Sequence, residues 1–569
     1  MPPENRDPAR GRWRSLPDGW PDWTYAVFEF GLALRPLAPF LLAAMVFAGG
    51  LVLLLSASAP AQNGRTALLR DVLPLPFAEA SHLSASLAGL ALIVLARGLA
   101  LRMQQARIAA IGVLIAGAGF SVLKDLDWED AAILLAVAGA LMLSRRQFYR
   151  RGEWRSFRPT PVWTLLVVLT VLAAIAIGFL GYGNVATRGE LWWQFAWHGD
   201  APRFLRAALV LSVAVAALTL DTLVNRPLRG RPQADPVPDT VRRLIADCPD
   251  SARQVALLGD KRFLVAPDND AFLMYGRAGR SWVCLGGPVG AAESGDRLIW
   301  DFMLKADRAG GRAVFYGIPA DRIVSFLDLG QAIVKTGEVA RVDLERFSLD
   351  GPARKDLRYA TGRAKRDGLT FEVLARAQVP AELEALRDVS DAWLAARKGS
   401  EKGFSLGRFD PDYLAEFDLA VMRRDGRIVA FANLWRGAGE EMAIDLMRHL
   451  PGQSPVLMDA LMTETILYAQ AQGCRWFGLG GAPLSGLPDH PLAPLWARIG
   501  TLIYRRGDEF YSFEGLRAFK EKFGPVWSAQ YMTCPGGLSV ARALIDVALL
   551  ISRPGGAAAA DEAAVSFSA

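Results

Sequence analysis

Long apolar runs occupy the first 225 positions of the chain and give way to a mixed pattern after them. A bilayer core of about 30 Å needs a helix of about 20 apolar residues, and six runs approach that length. The fourth is short enough to tilt or to re-enter the same face. The predicted spans are Pro36–Ser58, His82–Leu101, Ile108–Leu123, Ala131–Leu143, Val162–Tyr182 and Phe204–Val224. The pattern therefore predicts an α-helical transmembrane bundle over residues 36–225.

Arginine residues are concentrated in alternate loops between these spans. The loop after span four contains Arg145, Arg146, Arg150 and Arg151, whereas the preceding loop, Lys124–Asp130, is net acidic. Because cytoplasmic loops carry the excess of basic residues, this alternation predicts that both termini are cytoplasmic. The arginine-rich residues 1–35 are expected to form a cytoplasmic N-terminal segment, not a cleavable signal peptide.

The chain after the last span has the composition of a globular protein and begins with a proline-rich linker at residues 226–239. Short strand-like runs such as Ser281–Leu285 then alternate with helical patterns at 296–309, 382–396 and 458–472. Two rounds of similar size, at residues 240–375 and 376–553, predict a duplicated α/β fold. The alanine-rich tail at 554–569 is predicted to be disordered.

Composition and charge narrow the classes of partner and of metal chemistry. The chain has 64 Lys and Arg against 58 Asp and Glu, a mild excess that suits anionic partners such as lipid headgroups or RNA. Its four cysteines and four histidines are scattered along 569 residues, without the spacing of a zinc site or a redox pair. We therefore expect no metal site and no disulfide framework.

The sequence lacks the motifs of several common enzyme classes. It has no nucleophile elbow, Walker loop, dinucleotide-binding fingerprint or zinc-protease motif. The segment Arg308–Ala313 matches by letter the loop with which acetyltransferases bind coenzyme A, but it ends a predicted helix and leads into a strand. A coenzyme A loop opens a helix after a strand, so we interpret this segment as a turn.

Four separated phrases combine charged residues with glycine or aromatic residues. They are the loop Glu401–Phe409, the strand end Asp445–Arg448, the turn Leu479–Ser485 and the aromatic, cationic stretch Phe510–Trp527. Ligands of α/β sheets tend to bind where strands end, which makes these phrases candidates for a site. Each phrase alone also fits a salt bridge, a capped turn or a solvated helix face.

Together with Gly337–Glu338 and Phe347–Gly351, these phrases resemble the aminoacyl-phosphatidylglycerol synthases, the lysyl- and alanyltransferases also called multiple peptide resistance factors. The resemblance covers about residues 239–552. It implies a tandem acetyltransferase-like (GNAT) fold that moves an amino acid from aminoacyl-tRNA to the glycerol hydroxyl of phosphatidylglycerol. Such a product lowers the negative charge of a bacterial cytoplasmic membrane. Because one ester replaces another, no cofactor is expected.

The resemblance also implies roles for single residues. Asp445 would bind the ammonium of the aminoacyl group, Arg448 would orient that group or bind phosphate, and Lys520 would lie at the reacting centre. A carboxylate suits an ammonium, and cations suit the oxyanion of a tetrahedral intermediate. Further substrate-binding candidates are Ser405, Glu401, Lys522, Glu509 and Glu514, the last two for a lysyl side chain by their charge alone. Lysyl is the first expectation for the transferred group, and alanyl is the alternative.

A basic segment at residues 354–366 is a candidate contact for an anionic partner. Arg354, Arg358 and Lys365 share one face at helical spacing. That face could bind the tRNA acceptor stem or anionic lipid, and charge alone does not distinguish the two. A solvated surface helix is the alternative.

The chain departs from the family pattern in two places. The turn Gly286–Gly290 lacks an acidic residue that many members carry there, which leaves its role open. Six spans also predict a short form with the synthase platform and without the larger region that flips the product lipid. A separate flippase and a homo-oligomer are then open as partners.

Two other functions fit parts of the sequence. One is a membrane-anchored, coenzyme A-dependent N-acyltransferase, which the wrong context of Arg308–Ala313 argues against. The other is a non-catalytic lipid-binding or transport protein with a decayed acyltransferase fold. The presence of Asp445, Arg448 and Lys520 argues against such decay.

Overall fold

The computed structural model divides the chain into two compact units, Met1–Gly230 and Arg231–Ala569, apart from Arg308–Gly310, which group with the first. The structure describes residues 37–58, 75–125, 128–150, 161–182, 208–215, 217, 236–397, 401–488, 490, 492–494, 496–498, 513–537 and 539–552.

The N-terminal unit is helical in the part that the structure describes. Its helices are α1 (Ala38–Ser58), α2 (Leu75–Ala100), α3 (Gln104–Asp125), α4 (Trp128–Leu143) and α5 (Pro161–Tyr182). Small residues let α1 and α2 approach closely, since a Cβ atom added to Gly50 would lie 2.7 Å from the carbonyl oxygen of Gly89. Close contact at glycine is typical of helices that pack within a membrane.

Two described helices are long and apolar enough to cross a membrane, over Ala38–Leu55 and Gln104–Val122. Shorter apolar helices lie at Ser84–Ala100 and Trp163–Ile177. The first five predicted spans thus all coincide with helices, α1 to α5, whereas the sixth is helical at 208–215 and otherwise mostly outside the described residues. These helices expose large apolar side chains, which suits a lipid environment better than water. They indicate a membrane-associated protein.

The C-terminal unit combines strands and helices. The strands are β1 (Arg262–Val265), β2 (Ala271–Ala278), β3 (Ser281–Leu285), β4 (Val289–Gly290), β5 (Arg312–Pro319), β6 (Ala332–Asp343), β7 (Leu369–Leu374), β8 (Asp418–Arg424), β9 (Arg427–Arg436), β10 (Glu441–His449), β11 (Trp476–Pro483) and β12 (Val526–Cys534). The helices are α6 (Asp239–Ala246), α7 (Ala292–Arg308), α8 (Lys355–Arg366), α9 (Val379–Arg397), α10 (Pro411–Leu414), α11 (Leu457–Ala471), α12 (Phe513–Glu521) and α13 (Ser539–Ile551).

The three helices predicted at 296–309, 382–396 and 458–472 correspond to α7, α9 and α11 within a few residues. The segment Arg308–Ala313 joins the end of α7 to the start of β5, with Gly310 in the left-handed region at φ 70°. It is therefore a turn, as its sequence context indicates.

All twelve strands belong to one sheet, with β1-β2-β3-β5-β12-β6-β11-β10-β9-β8-β7 in order and β4 beside β2. The ladders are antiparallel except for two parallel pairs, β3 with β5 and β10 with β11. Helix α7 connects the first pair and α11 the second, so each predicted α/β round contains one such unit. Strand β12 lies between β5 and β6, and the sheet therefore continues across the predicted boundary at residue 375.

Helices cover both faces of the sheet around β9, whose residues are buried from Ile428 to Trp435. On one face α8 and α11 pack through residues such as Leu357 and Leu461, and on the other α9 packs through Leu386. Burial of each such leucine stabilises the fold by about 1.5–3 kcal/mol. The parallel pair β10 and β11 is thereby held in a rigid, two-sided core.

Candidate active site

The strands β10 and β11 separate shortly after they begin to pair. They form a parallel ladder only where Glu441–Ala443 lies beside Trp476–Gly478. Beyond that point β10 continues against β9, and β11 continues against β6. From Ile444 and Leu479 onward, the facing edges of β10 and β11 thus form no ladder hydrogen bonds with each other. This opening at the ends of two parallel strands is the kind of place where α/β proteins bind ligands.

A β-bulge occurs in β10 at the point of separation. Ile444 pairs with Leu434 and Met447 with Ala432, so that Asp445 and Leu446 together lie opposite Asn433. The fully buried side chain of Asn433 accepts a hydrogen bond from the backbone N–H of Leu446 at 2.7 Å. Bulges redirect side chains near functional sites, and Asn433 satisfies the N–H that this one leaves outside the ladder.

Both carboxylate oxygens of Asp445 accept hydrogen bonds. The backbone N–H of Gly407 donates to Oδ1 at 2.8 Å, and the hydroxyl of Tyr413 donates to Oδ2 at 2.9 Å. Trp435 in turn donates from Nε1 to the Tyr413 hydroxyl at 3.0 Å. Burial raises the pKa of Asp445 to about 6, although these hydrogen bonds and the nearby Lys261 act in the opposite direction. The group is thus a fixed carboxylate that titrates close to neutral pH.

Arg448, predicted to contact substrate, is only 2% exposed. Its Nη2 forms an ion pair with Glu401 at 2.6 Å, its Nη1 donates to the hydroxyl of Ser390, and its guanidinium lies 5.1 Å from the ring centre of Trp393. Glu401 also accepts a hydrogen bond from the backbone N–H of Phe409 at 3.3 Å. Arg448 therefore supports the loop at residues 401–410, and Glu401 is its partner.

A second group of buried charges supports the same loop. Lys261 is fully buried and donates to Asp260 Oδ1 at 2.6 Å and to the carbonyl of Val255 at 2.8 Å. Asp260 Oδ2 accepts from the backbone N–H of Phe404 at 2.7 Å, where the chain has a φ of 61°. Since Gly407 in this loop donates to Asp445, both charge groups help to fix that carboxylate. The sequence analysis missed Lys261, Asp260, Tyr413 and Asn433, which have no recognisable motif.

Lys520 extends from α12 to β11, beyond the point where β11 leaves β10. Its Nζ donates to the carbonyl of Gly481 at 2.8 Å, next to a bulge between Gly478 and Gly480. The side chain is 6% exposed, and it forms no ion pair with any carboxylate in the described part of the chain. Burial lowers the pKa of Lys520 to about 7. Its amine is therefore partly neutral at neutral pH and can accept or donate a proton.

The other predicted substrate-binding residues are placed differently. Ser405 is half-buried in the 401–410 loop, where its backbone N–H donates to the carbonyl of Gly403 at 2.8 Å. Lys522 is exposed and pairs with Asp459 of α11 at 2.9 Å. Glu509 and the side chain of Glu514 lie outside the described residues.

The basic segment is a helix, α8, which begins one residue after Arg354. Arg354 donates to the carbonyl of Lys522 at 2.8 Å, and Arg358 donates to the carbonyls of Leu349 and Gly351. Lys365 is exposed at the other end of the helix. Two of the three predicted contact residues are thus engaged with the backbone of their own unit.

In the turn Gly286–Gly290, position 286 has room only for glycine. Gly286 has a φ of 73°, and a Cβ atom added there would lie 1.7 Å from Nη1 of Arg253. Arg253 is buried and pairs through Nε with Asp250 at 2.9 Å. A guanidinium thus occupies the space beside the turn.

Comparison with known proteins identifies relatives of the chain. The family described as phosphatidylglycerol lysyltransferase, C-terminal, matches residues 242–534. The phosphatidylglycerol lysyltransferase of Bacillus subtilis is 31% identical over 525 residues, which cover 90% of this chain and 59% of the relative. That of Staphylococcus aureus strain MRSA252 is 31% identical over 276 residues, or 48% of this chain and 33% of the relative. The chain thus spans less than two thirds of the length of either relative.

A solved structure covers the C-terminal unit. It is the C-terminal domain of a putative lysylphosphatidylglycerol synthetase from Agrobacterium fabrum, 39% identical, with a TM-score of 0.51 over 56% of this chain and 97% of that one. The C-terminal unit resembles the acetyltransferase-like fold, in that a helix joins two parallel strands that then part. With the family match over residues 242–534, these findings show that the chain belongs to the phosphatidylglycerol lysyltransferase family.

Proposed function

We propose that this chain is an aminoacyltransferase that moves an amino acid from aminoacyl-tRNA to the glycerol hydroxyl of phosphatidylglycerol. The observation that carries the proposal is the placement of two functional groups where β10 and β11 part, a carboxylate on β10 and an amine that contacts β11. Asp445 is fixed on β10 by Gly407 and Tyr413, and Lys520 is bound to the β11 carbonyl of Gly481. Membership of the family supports the same reaction.

The reaction needs a site for an ammonium group and a group that handles a proton. Asp445 provides a carboxylate held by two donors, which would bind the α-ammonium of the aminoacyl group through its remaining lone pairs. A bound ammonium favours the ionised form, so it would lower the pKa of Asp445 from about 6. The carboxylate would thereby orient the ester carbonyl for attack.

Lys520 suits the proton transfer. In the proposed step its neutral amine accepts the proton of the lipid hydroxyl as that oxygen bonds to the ester carbon. The bond from that carbon to the tRNA ribose oxygen then breaks, and the ammonium of Lys520 returns the proton to the ribose oxygen. A pKa of about 7 lets the same amine serve both steps at neutral pH. Arg448 acts in this scheme through Glu401, by holding the loop that contains Gly407.

We propose lysine as the transferred amino acid, with alanine as the alternative, because the relatives are phosphatidylglycerol lysyltransferases. Glu509 and Glu514 stay candidates for recognition of the lysyl side chain on their charge, and Ser405 for contact with the donor. Arg354, Arg358 and Lys365 stay candidates for contact with tRNA or lipid, with Lys365 the most open of them. The reaction needs no cofactor, since an ester of similar energy is formed.

The proposal places the catalytic unit on the cytoplasmic side of a multi-pass membrane region of about six helices. Aminoacyl-tRNA is cytoplasmic, and the arginine-rich loops predict the same side for residues 236–552. The tandem character of the GNAT fold is supported by the two parallel strand pairs, each joined through one helix.

Lipid analysis tests the reaction directly. The full chain is expressed in a bacterium without aminoacylated lipids, and its phospholipids are analysed by mass spectrometry. We expect a new phosphatidylglycerol species heavier by one lysyl residue, which disappears in Lys520→Ala and Asp445→Asn. Lys305→Ala is the matched control, because Lys305 of α7 is an exposed lysine outside the site, 5.5 Å from the ring centre of Tyr275.

Other outcomes separate the alternatives. A species heavier by one alanyl residue would replace lysine with alanine in the proposal. No new species from folded, membrane-inserted protein, even with charged tRNAs in native membranes, would contradict the reaction. In that case binding of acetyl-CoA by the C-terminal unit would indicate an N-acyltransferase, and its absence a lipid-binding protein.

A further inference from the structure

A cluster of charged and polar side chains lies between α12, β6 and the turn after β11. Arg517 of α12 donates from Nη1 to the carboxylate of Glu338 and to the hydroxyl of Ser485. Ser485 is fully buried and donates to Glu338 Oε2 at 2.9 Å. Lys335 donates to Glu338 Oε1 and to the carbonyl of Gly486, both at 2.8 Å. Each of these four side chains forms at least two hydrogen bonds within the cluster.

The cluster is also closely packed. A Cβ atom added to Gly486 would lie 2.1 Å from Glu338 Oε1, so the turn approaches the carboxylate as only glycine allows. The guanidinium of Arg517 lies 4.3 Å from the ring centre of Trp527 on β12 and pairs through Nε with Glu521 at 2.9 Å. Contacts to β6, β12 and the β11 turn therefore fix Arg517 from three sides.

Arg517 and Lys520 are three residues apart on α12 and so lie on the same face of that helix. Lys520 donates to the carbonyl of Gly481, and the next residue, Ala482, is the register partner of Glu338. Lys520 thus attaches α12 to β11, and Arg517 attaches it to the neighbouring position of β6 and to the turn after β11. A shift of α12 that breaks one attachment would also break the other.

We infer that Glu338, Ser485 and Arg517 form a clamp that positions the Lys520 amine against β11. This inference rests on the proposed function, in which Lys520 transfers the proton. The three clamp residues are positioning residues and act through α12. Since misplacement of a reacting group by about 1 Å can cost about 10²-fold in rate, a clamp one turn from Lys520 controls the rate of transfer.

The charge state of the clamp is constant over the working pH range. Burial alone would raise the pKa of Glu338, but the hydrogen bonds from Lys335, Arg517 and Ser485 lower it to about 2. The contribution of Glu338 to stability is therefore complete above about pH 4.5 and is lost only as the pH falls towards 2. Near neutral pH, loss of the Arg517 charge would by itself raise the pKa of Lys520, so a change in position or burial is measured in Arg517→Lys, which keeps that charge. Other charged groups on or beside α12 are Lys335, Glu521 and Lys522.

The test measures the Lys520 amine itself and the rate of transfer, in the full chain reconstituted in phosphatidylglycerol-containing nanodiscs. The rate of amine acetylation at Lys520 is followed against pH by peptide mass spectrometry. In the native chain we expect a midpoint of about 7. In Arg517→Gln we expect a midpoint higher by about one pH unit, a kcat lower by about 10- to 100-fold, and KM values within about threefold.

Two further variants make the result specific. Arg517→Lys keeps the charge but cannot span Glu338 and Ser485 together, so we expect an intermediate midpoint and rate, and it serves if Arg517→Gln does not fold. Arg423→Gln is the matched control, because Arg423 on β8 pairs with both Glu372 and Glu382. It should leave both measurements unchanged.

The inference is overturned if Arg517→Lys, which keeps the charge, leaves the Lys520 midpoint unchanged, whether or not kcat falls, because Arg517 would then act on Lys520 through its charge alone or act elsewhere. It is equally overturned if the midpoint rises and kcat does not fall. If the native chain shows no transfer at all, the proposed function fails. A raised midpoint in Arg517→Lys would then still support the clamp as the device that holds the Lys520 amine.

Discussion

Asp445 is fixed in position by hydrogen bonds, but its burial makes the ionised form less stable. Gly407 and Tyr413 fix both oxygens, yet burial raises the pKa from 3.8 to about 6. Because the pKa is higher in the folded chain than its ordinary value, ionisation of Asp445 costs stability above about pH 6. That cost disappears as the pH falls below about 4. A carboxylate retained against such a cost is typical of a functional group.

Asp445→Asn should therefore separate stability from activity. The amide keeps the shape and can still accept from Gly407, but it carries no charge to bury or to bind an ammonium. We expect transfer to fall by at least about 10²-fold, while the free energy of unfolding at pH 7.5 rises by about 1–2 kcal/mol. Chemical denaturation beside the lipid assay measures both.

The pH profile gives a second view of the same group. In the native chain, transfer should decline as the pH falls through about 7, where Lys520 loses its neutral form, and more steeply below about 6, where the protonated carboxyl of Asp445 no longer binds the ammonium. A profile that does not steepen below about pH 6, or an Asp445→Asn variant with native activity, would remove Asp445 from the proposed mechanism.

Two β-bulges give the site its shape at the scale of secondary structure. The bulge in β10 places Asp445 beside the 401–410 loop, and the bulge in β11 lies next to the carbonyl that accepts from Lys520. Asn433 completes the first of them by accepting from the backbone N–H of Leu446. A single buried amide thus supports the strand geometry on which the carboxylate depends.

Asn433→Ala should damage the site more than the fold. It leaves the buried N–H of Leu446 without its acceptor, which costs about 1–3 kcal/mol of stability, and it lets the bulge relax. We expect kcat for transfer to fall by at least about tenfold, because Asp445 is misplaced in the bound complex. Thermal unfolding and steady-state kinetics are the measurements.

Gln470→Ala provides the comparison. Gln470 on α11 donates to the carbonyls of Leu344 and Phe347, so its loss also removes side chain–backbone hydrogen bonds, which are partly buried. We expect Gln470→Ala to lose about as much stability as Asn433→Ala and to keep the native rate of transfer. If both variants lose activity in proportion to stability, the bulge has no special role.

The elements could be predicted from the sequence more completely than the site. Helices α7, α9 and α11 follow from periodicity, and the phrases around Asp445 and Lys520 follow from family resemblance. The partners of Arg448 could not be predicted, because only the fold reveals its burial beside Glu401 and Trp393. Lys261 was missed for the same reason, since a lysine in a loop is ordinarily solvated and nothing local indicates its burial.

At the scale of the whole molecule, strand pairing between distant parts of the chain limits what the sequence can predict. Strand β12 pairs with β5 and β6, and Val526 lies opposite Arg341 although about two hundred residues separate them. No local pattern specifies that partner. The same strand contributes Trp527 to the packing of Arg517, so the end of the chain helps to hold the helix that carries Lys520. The sheet thereby joins both predicted α/β rounds in one scaffold for the site.

The proposed reaction predicts the orientation of the chain in the membrane. Its donor, aminoacyl-tRNA, is cytoplasmic, so we expect the C-terminal unit to face the cytoplasm together with the arginine-rich loops and the acidic loop at Lys124–Asp130 to face outward. Single cysteines test this in a Cys248→Ser background, since Cys248 is half-buried and the other three thiols are buried. A membrane-impermeant maleimide should label Glu129→Cys in intact spheroplasts, and Arg145→Cys and Glu384→Cys only in inverted vesicles, all three positions being exposed. Labelling of Glu384→Cys from outside would place the C-terminal unit away from its donor and would contradict the proposed reaction.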